Sequence, residues 1–200
     1  MLEKERKSMW ILRHLACAAA LLVTGPAIAA GEPTIVNCEG NPNLARFLAM
    51  DSILFNGPRD GSRAAEFYAD PFLSHDSDRG DAEGVQERRP SHVAGIANRV
   101  KETFPDRVLK NDLIACADDL VIVRVIATGT MTGAMMGMQP TGRSFKTSAI
   151  DIYRFNEGKV VERWGNSDSL GMLTQLNLLD AYTQGPGAAR AARGGGEEPR

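Results

Sequence analysis

The sequence is poor in several things that would point to a function at once. Three histidines in 200 residues, with scattered acids around them, show no zinc-type spacing, so no metal is expected. No serine sits in a Gly-x-Ser-x-Gly elbow, and Cys38 has no companion motif, which leaves nucleophilic catalysis without support. Gly129, Gly133, Gly137 and Gly142 do not lead from a strand into a helix with phosphate-loop spacing, so nucleotide binding is not expected either. A formal charge of −2 offers no excess of either sign, and nothing in the totals suggests a nucleic-acid surface. The mean hydropathy of −0.22 excludes a polytopic membrane protein, and no internal repeat is present. What remains is an ordinary globular composition, 43% apolar and 24% charged, enough for one domain with a sizeable core.

The ends read differently from the middle. Lys4, Arg6, Lys7 and Arg13 precede the apolar run Leu15 to Thr24, which is followed by Gly25, Pro26 and the small residues Ala27, Ile28, Ala29 and Ala30. This pattern predicts a signal peptide over residues 1–29. The run is about half the roughly 20 residues of a bilayer-spanning helix, although an uncleaved anchor is the alternative. Export to a periplasmic or extracellular space, with no membrane attachment after cleavage, is the expectation. Residues 30–40 read as a linker, 41–180 as the domain, and 181–200 as a disordered tail, since the Ala, Arg and Gly repeats beyond Gln184 bury nothing. Two cysteines survive cleavage. Cys38 and Cys116 either pair in an oxidising compartment or remain as two thiols.

Within the domain the hydrophobic period changes. Asn41-Pro42 opens a helix whose Leu44, Phe47, Leu48, Leu54 and Phe55 share a face until Gly57-Pro58. A second helix runs from Ser62 to about Tyr68, residues 76–90 form a polar loop, and a third helix extends from Pro90 to Phe104. Thereafter Val108–Cys116, Leu120–Thr130, Phe145–Phe155 and Lys159–Ser167 are rich in Val, Ile and Thr and predict antiparallel strands, with a short helix over Leu170–Leu179. Helices first and a meander afterwards predict an α+β domain with helices on one face of a curved sheet.

A turn centred on Asn156-Glu157 places Asp151 opposite Glu162, Ala149 opposite Trp164, Thr147 opposite Asn166 and Phe145 opposite Asp168. That face is expected to line a pocket. Ile150, Ile152 and Val161, with Lys146, Arg154, Lys159 and Arg163, fall on the other face, an apolar strip suited to a homodimer contact. Asp151 and Glu162 would repel unless a cation joins them or they share a proton, and Arg124 on the preceding strand is the expected partner of a structural ion cluster. Asp168 ends its strand where a pocket would open, and reads either as an acid–base group or as a helix cap. His92, among polar residues at a helix start, is expected in solvent. Asp51 interrupts the apolar stripe of the first helix; a stripe narrower than drawn is the favoured explanation, and a place facing the cavity the other. Met131, Met135, Met136 and Met138 suit an adaptable apolar lip or, almost as well, core filling.

Gly137-Met138-Gln139-Pro140-Thr141-Gly142-Arg143, Ile150-Asp151-Ile152-Tyr153-Arg154 and Gly158-Lys159-Val160-Val161-Glu162-Arg163-Trp164 are laid out as in SnoaL-like proteins. Phe72 to Asp76, Thr103 to Asp106, Gly129, Thr130 and Gly133, and the closing Asp168, Gly171, Leu173, Gln175 and Leu176 also fit. Over residues 42–178 the chain therefore resembles the SnoaL-like polyketide or ester cyclases. The resemblance implies a nuclear-transport-factor-2-like cone, often dimeric, that closes rings by intramolecular aldol condensation without metal or cofactor. It further implies Asp168 as the acid–base aspartate and His75 as its partner acid. Trp164, Asp151, Asn166, Tyr153, Phe145 and Met138 are the expected substrate-binding residues. Two functions are carried forward. One is a cofactor-free enzyme acting next to a carbonyl of a small hydrophobic ester, ketone or lactone; the other is a non-catalytic binding protein for such a molecule.

Overall fold

The computed structural model describes residues 32–76 and 84–184; the expected signal peptide lies outside them, as does the expected tail beyond residue 184. The chain begins with a short strand, β1 (Thr34–Val36), and the helix α1 (Pro42–Met50). Asn41 caps α1 by accepting a bond from Asn43 N, and Pro42 at the first turn gives up no hydrogen bond, as its sequence position predicts. From Asp51 to Asn56 the helix widens into a π-helical turn, closed by Gly57 N donating to Ser52 O at 2.8 Å. A 3-10 turn (Gly61–Arg63), a single helical turn α2 (Ala64–Phe67), β2 (Tyr68–Asp76), β3 (Gln86–Arg88) and α3 (Pro90–Thr103) follow. The second half comprises β4 (Val108–Ala117), β5 (Leu120–Thr130), β6 (Ser144–Asn156), β7 (Lys159–Ser167), α4 (Ser169–Gln175) and α5 (Leu179–Gln184).

All seven strands form one sheet in the order β1-β4-β5-β6-β7-β2-β3. The α+β class and the helix-covered curved sheet are as expected, with local differences. The segment read as a linker contributes β1, parallel to β4, and the expected loop before α3 contributes β3. The second helix gives way at Tyr68, where the chain enters β2, parallel to β7. The C-terminal helix breaks at Asn177, whose φ of +59° ends one helix, and α5 runs past residue 180.

One face of the sheet packs against α1, α3 and α4. Buried Phe47, Met50, Leu54, Phe67, Tyr68, Phe72, Val121, Val123, Tyr153 and Val160 make the principal core. A second cluster, with Phe104, Met131, Met138, Phe145, Leu173 and Leu176, closes the end near α4. Cys38 and Cys116 are bonded, so the segment after β1 is joined to β4.

Candidate active site

Two irregularities decide which side chains face inward. The β6–β7 hairpin turns on Glu157 and Gly158, with φ of +49° and +73°, the conformation of a two-residue turn matched to strand twist. The turn is thus centred one residue later than expected. An extra residue then enters β7, because Phe155 pairs Val160 but Arg154 pairs Glu162. Such a bulge at Val161 turns every later side chain of β7 to the other face. Asp151 lies opposite Gly165 instead of Glu162, and Trp164 opposite Ile152. A second bulge, at Asp112 between Asn111 and Leu113, does the same to β4.

The inner face and the helices enclose a cavity of about 390 Å³, within the size range of small-molecule sites. Its walls are mostly apolar, including Phe47, Phe55, Phe72, Val125, Phe145 and Met172. Of the expected ligand contacts, Phe145, Asp151 and Tyr153 line it. Trp164 and Asn166 are corrected to the outer face, carried there by the bulge. Met138 is buried in the second core cluster, and Met135 takes the cavity position.

His75 is also corrected to the outer face. Its ring stacks on Trp164, with centroids 4.9 Å apart, and its Nε2 lies 2.8 Å from Glu162 Oε1. Glu162 Oε2 accepts from Arg154 Nε at 3.0 Å, and Arg154 reaches Asp119 at 2.9 Å. Arg124 pairs with Asp112 and joins neither Asp151 nor Glu162. Of the expected ion cluster Glu162 is a member, with Arg154 and His75 in place of Arg124, and the cluster lies away from the cavity.

Asp168 lines the cavity mouth. Its backbone N–H donates to Ser148 O at 3.0 Å, and its Oδ1 accepts from Gly171 N at 2.8 Å, which caps α4. The cap reading of this residue is thus realised, with the carboxylate still at the mouth. Replacing Asp168 by Ala is expected to cost about 1 kcal/mol in chemical denaturation, the usual loss for a helix cap.

The cavity's polar centre is elsewhere. Asp51 is only 9% exposed and lines the cavity four residues after Phe47 and four before Phe55. The aspartate faces inward, the second of the two readings, although the stripe is also narrower than drawn at Leu48, which is exposed. Asn56 Nδ2 at 2.9 Å and Asn111 Nδ2 at 3.0 Å both donate to its Oδ2. Residues five apart stand about 140° apart on an α-helix, so the π-helical turn is what brings Asn56 beside Asp51. Among the described residues Oδ1 accepts no hydrogen bond. Burial raises the Asp51 carboxyl above its ordinary value of 3.8, against the two amide bonds and the nearby positive charge of Arg107. Arg107 itself is pushed down to about 10, first by burial and then by neighbouring Arg59.

Across the sheet, Arg163 Nη2 donates to Asp151 Oδ1 at 2.6 Å, and the Arg163 charge also acts on the Tyr153 hydroxyl. Gly165 makes this possible, because a Cβ there would stand 2.4 Å from Arg163 Nη2 and 2.9 Å from Asp151 Oδ1. Burial, and then the adjacent Asp151 charge, push the Tyr153 hydroxyl well above its ordinary value. It stays protonated at physiological pH and keeps its proton for donation. His92 is half-buried on the cavity wall with Val93, Ile96 and Val100, not in solvent. Its place four residues before Ile96 was the available signal; for Arg107 and Asn111, set apart by a helix end and a bulge, there was none.

The fold is shared with known proteins. IdmH from Streptomyces antibioticus, provisionally designated a polyketide cyclase, is 29% identical, with a TM-score of 0.58 over 68% of this chain and 99% of that one. AclR from Streptomyces galilaeus, provisionally designated a hydroxylase, is 24% identical, with a TM-score of 0.57 over 68% and 95% of the two chains. A provisionally designated polyketide cyclase from Acidithiobacillus ferrooxidans shares the fold at 19% identity and a TM-score of 0.58, over 68% of this chain and 94% of its own. No curated protein matches the chain significantly. The family profile of SnoaL-like polyketide cyclases matches residues 48–176, from the last turn of α1 to the end of α4, and the chain belongs to that family.

Proposed function

We propose that this protein is an exported, cofactor-independent enzyme that moves a proton next to a carbonyl of a small hydrophobic molecule, with Asp51 as the acid–base group. The observation that carries the reading is Asp51 itself: a carboxylate in an apolar cavity wall, with Oδ2 fixed by two amides and Oδ1 left for a ligand. Such burial brings a carboxyl closer to the pH at which it works, which improves it as a general base. Cyclase-type chemistry follows in balanced steps. Asp51 takes a proton from the carbon beside the carbonyl, and the C–H electron pair passes to the oxygen as an enolate. Tyr153 donates its hydrogen bond to that oxygen. The enolate carbon then bonds to a second carbonyl carbon of the same molecule, and the resulting alkoxide recovers the proton from Asp51. A tyrosine donor beside a carboxylate base is the arrangement of ketosteroid isomerase, a standard example of this chemistry. Export is supported by the leader-like residues 1–29 and by the Cys38–Cys116 bond, which suits an oxidising compartment.

The test needs no knowledge of the natural substrate. Hydrogen–deuterium exchange at the α-carbon of 2-tetralone, 1-indanone and phenylacetate esters, followed by NMR in D₂O, is expected to exceed background with the wild-type protein. Tyr153→Phe should slow that exchange by about 10² to 10³, the usual effect of losing one oxyanion donor. Binding of these compounds without any exchange would instead establish a carrier of hydrophobic molecules.

A further inference from the structure

The charged side chains that line the cavity are answered in different ways. Arg163 is answered by Asp151, and Asp168 Oδ1 is engaged by Gly171 N. Arg107 lines the same cavity with no carboxylate in salt-bridge distance among the described residues. Its recorded hydrogen bond, Nη2 to Phe55 O, is long at 3.4 Å. Asp51, the acid nearest in effect, has its Oδ2 occupied by Asn56 and Asn111. Arg59, whose guanidinium is held by Phe104 O and Pro105 O, adds a second positive charge at this end. A guanidinium held in a largely apolar pocket with Asp51 near it but no carboxylate in salt-bridge contact costs free energy that a bound anion returns. Its planar fork matches a carboxylate, and one fork with no phosphate-type loop beside it fits a single planar anion better than a polyphosphate.

We propose that the cavity selects a hydrophobic ligand bearing a free carboxylate, which Arg107 takes up while the apolar body lies against Phe55, Phe145 and Met172. This deepens the acid–base reading, since it concerns the same cavity, but it stands on binding and not on turnover. The carboxylate would fix the molecule's direction in the cavity, leaving its carbonyl to Asp51 and Tyr153. An esterified or amidated analogue would lose that anchor.

Equilibrium titration of 2-naphthoate against its neutral isostere 2-naphthamide tests the assignment. The wild-type protein is expected to bind naphthoate at least about tenfold more tightly, as for a charge-assisted hydrogen bond in a desolvated site. Arg107→Gln should erase the preference while leaving naphthamide affinity within about twofold, and Arg107→Lys should restore part of it. Asp51→Asn, which removes the base, should keep the preference, separating this result from any result on catalysis. Equal binding of both probes by the wild type, or a preference that survives Arg107→Gln, overturns the proposal while the ligand cavity stands. Failure of both probes to bind at millimolar concentration overturns the cavity reading together with it. Should Arg107→Gln not fold, the wild-type preference and the Arg107→Lys variant still decide the matter.

Discussion

Asp51→Asn is expected to lower the rate of α-proton exchange by about 10² to 10⁴, the range for loss of a positioned acid–base group, and at the same time to make the protein more stable at neutral pH. The two effects have one origin. Burial raises the Asp51 carboxyl in the folded state, whereas the unfolded chain returns it toward 3.8. A group raised on folding favours the fold where it is protonated and opposes it where it is charged, so its cost is absent below about pH 3.8 and grows as pH rises through the folded value. Asparagine keeps an oxygen for Asn56 and Asn111 but carries no charge, so it escapes that cost. Denaturation curves should therefore show Asp51→Asn above wild type at pH 7 and the gap closing toward pH 3. The same raised value sets the acid limb of the wild-type exchange rate, which should increase with pH through a point above the ordinary aspartate value of 3.8. Asp168→Asn retains an N-cap residue on α4 and is expected to keep most of its activity. Loss of exchange in Asp168→Asn but not in Asp51→Asn would transfer the base to the cavity mouth.

How far this site was legible in the sequence depends on which physical signal each residue carried. The first and third helices, the four long strands and the inward face of β6 all follow from period and capping, so Phe145, Asp151 and Tyr153 reach the cavity as expected. Single inserted residues leave no trace in a hydrophobic pattern this short. The bulge at Val161 exchanged the faces of β7, sending Trp164 and Asn166 out and bringing Arg163 in, so the partners assigned to Asp151 and Glu162 were wrong together. Gly165 was a weak clue, because a glycine in a strand interior often marks a close approach, here that of the Arg163–Asp151 pair. Asp51 was visible as an anomaly in an apolar stripe, but periodicity cannot separate a polar residue facing a cavity from a stripe that is simply narrower. What settles the choice is the π-helical turn, which depends on the closure at Gly57 and on packing against β4.

Replacing both Cys38 and Cys116 by alanine should lower the thermal midpoint by about 10 °C. A cross-link between residues 78 apart removes about 4 kcal/mol of unfolded-state entropy in the loop-closure treatment, and for a domain of this size each kcal/mol is worth roughly 2–4 °C. The closed loop contains α1, α2, β2, β3 and α3, which is every helix of the described chain that precedes the meander. The link also bears on the site. Cys38 O accepts from Asn41 N at 3.0 Å, Asn41 caps α1, and its Nδ2 donates to Asp118 O at 3.1 Å beyond Cys116. The start of α1 is thus clamped to the far end of β4, and α1 leads directly into the turn that carries Asp51. Reduction should consequently weaken naphthoate binding below the melting temperature as well as lowering that temperature. A double alanine variant with an unchanged midpoint would mean that the unfolded chain gains little freedom from opening the loop. An unchanged ligand affinity with a lowered midpoint would mean that α1 is held by its apolar face alone. A chain retained where thiols stay reduced would fold without the clamp, and its lower midpoint would then tie the stability of Asp51's setting to the compartment in which the protein matures.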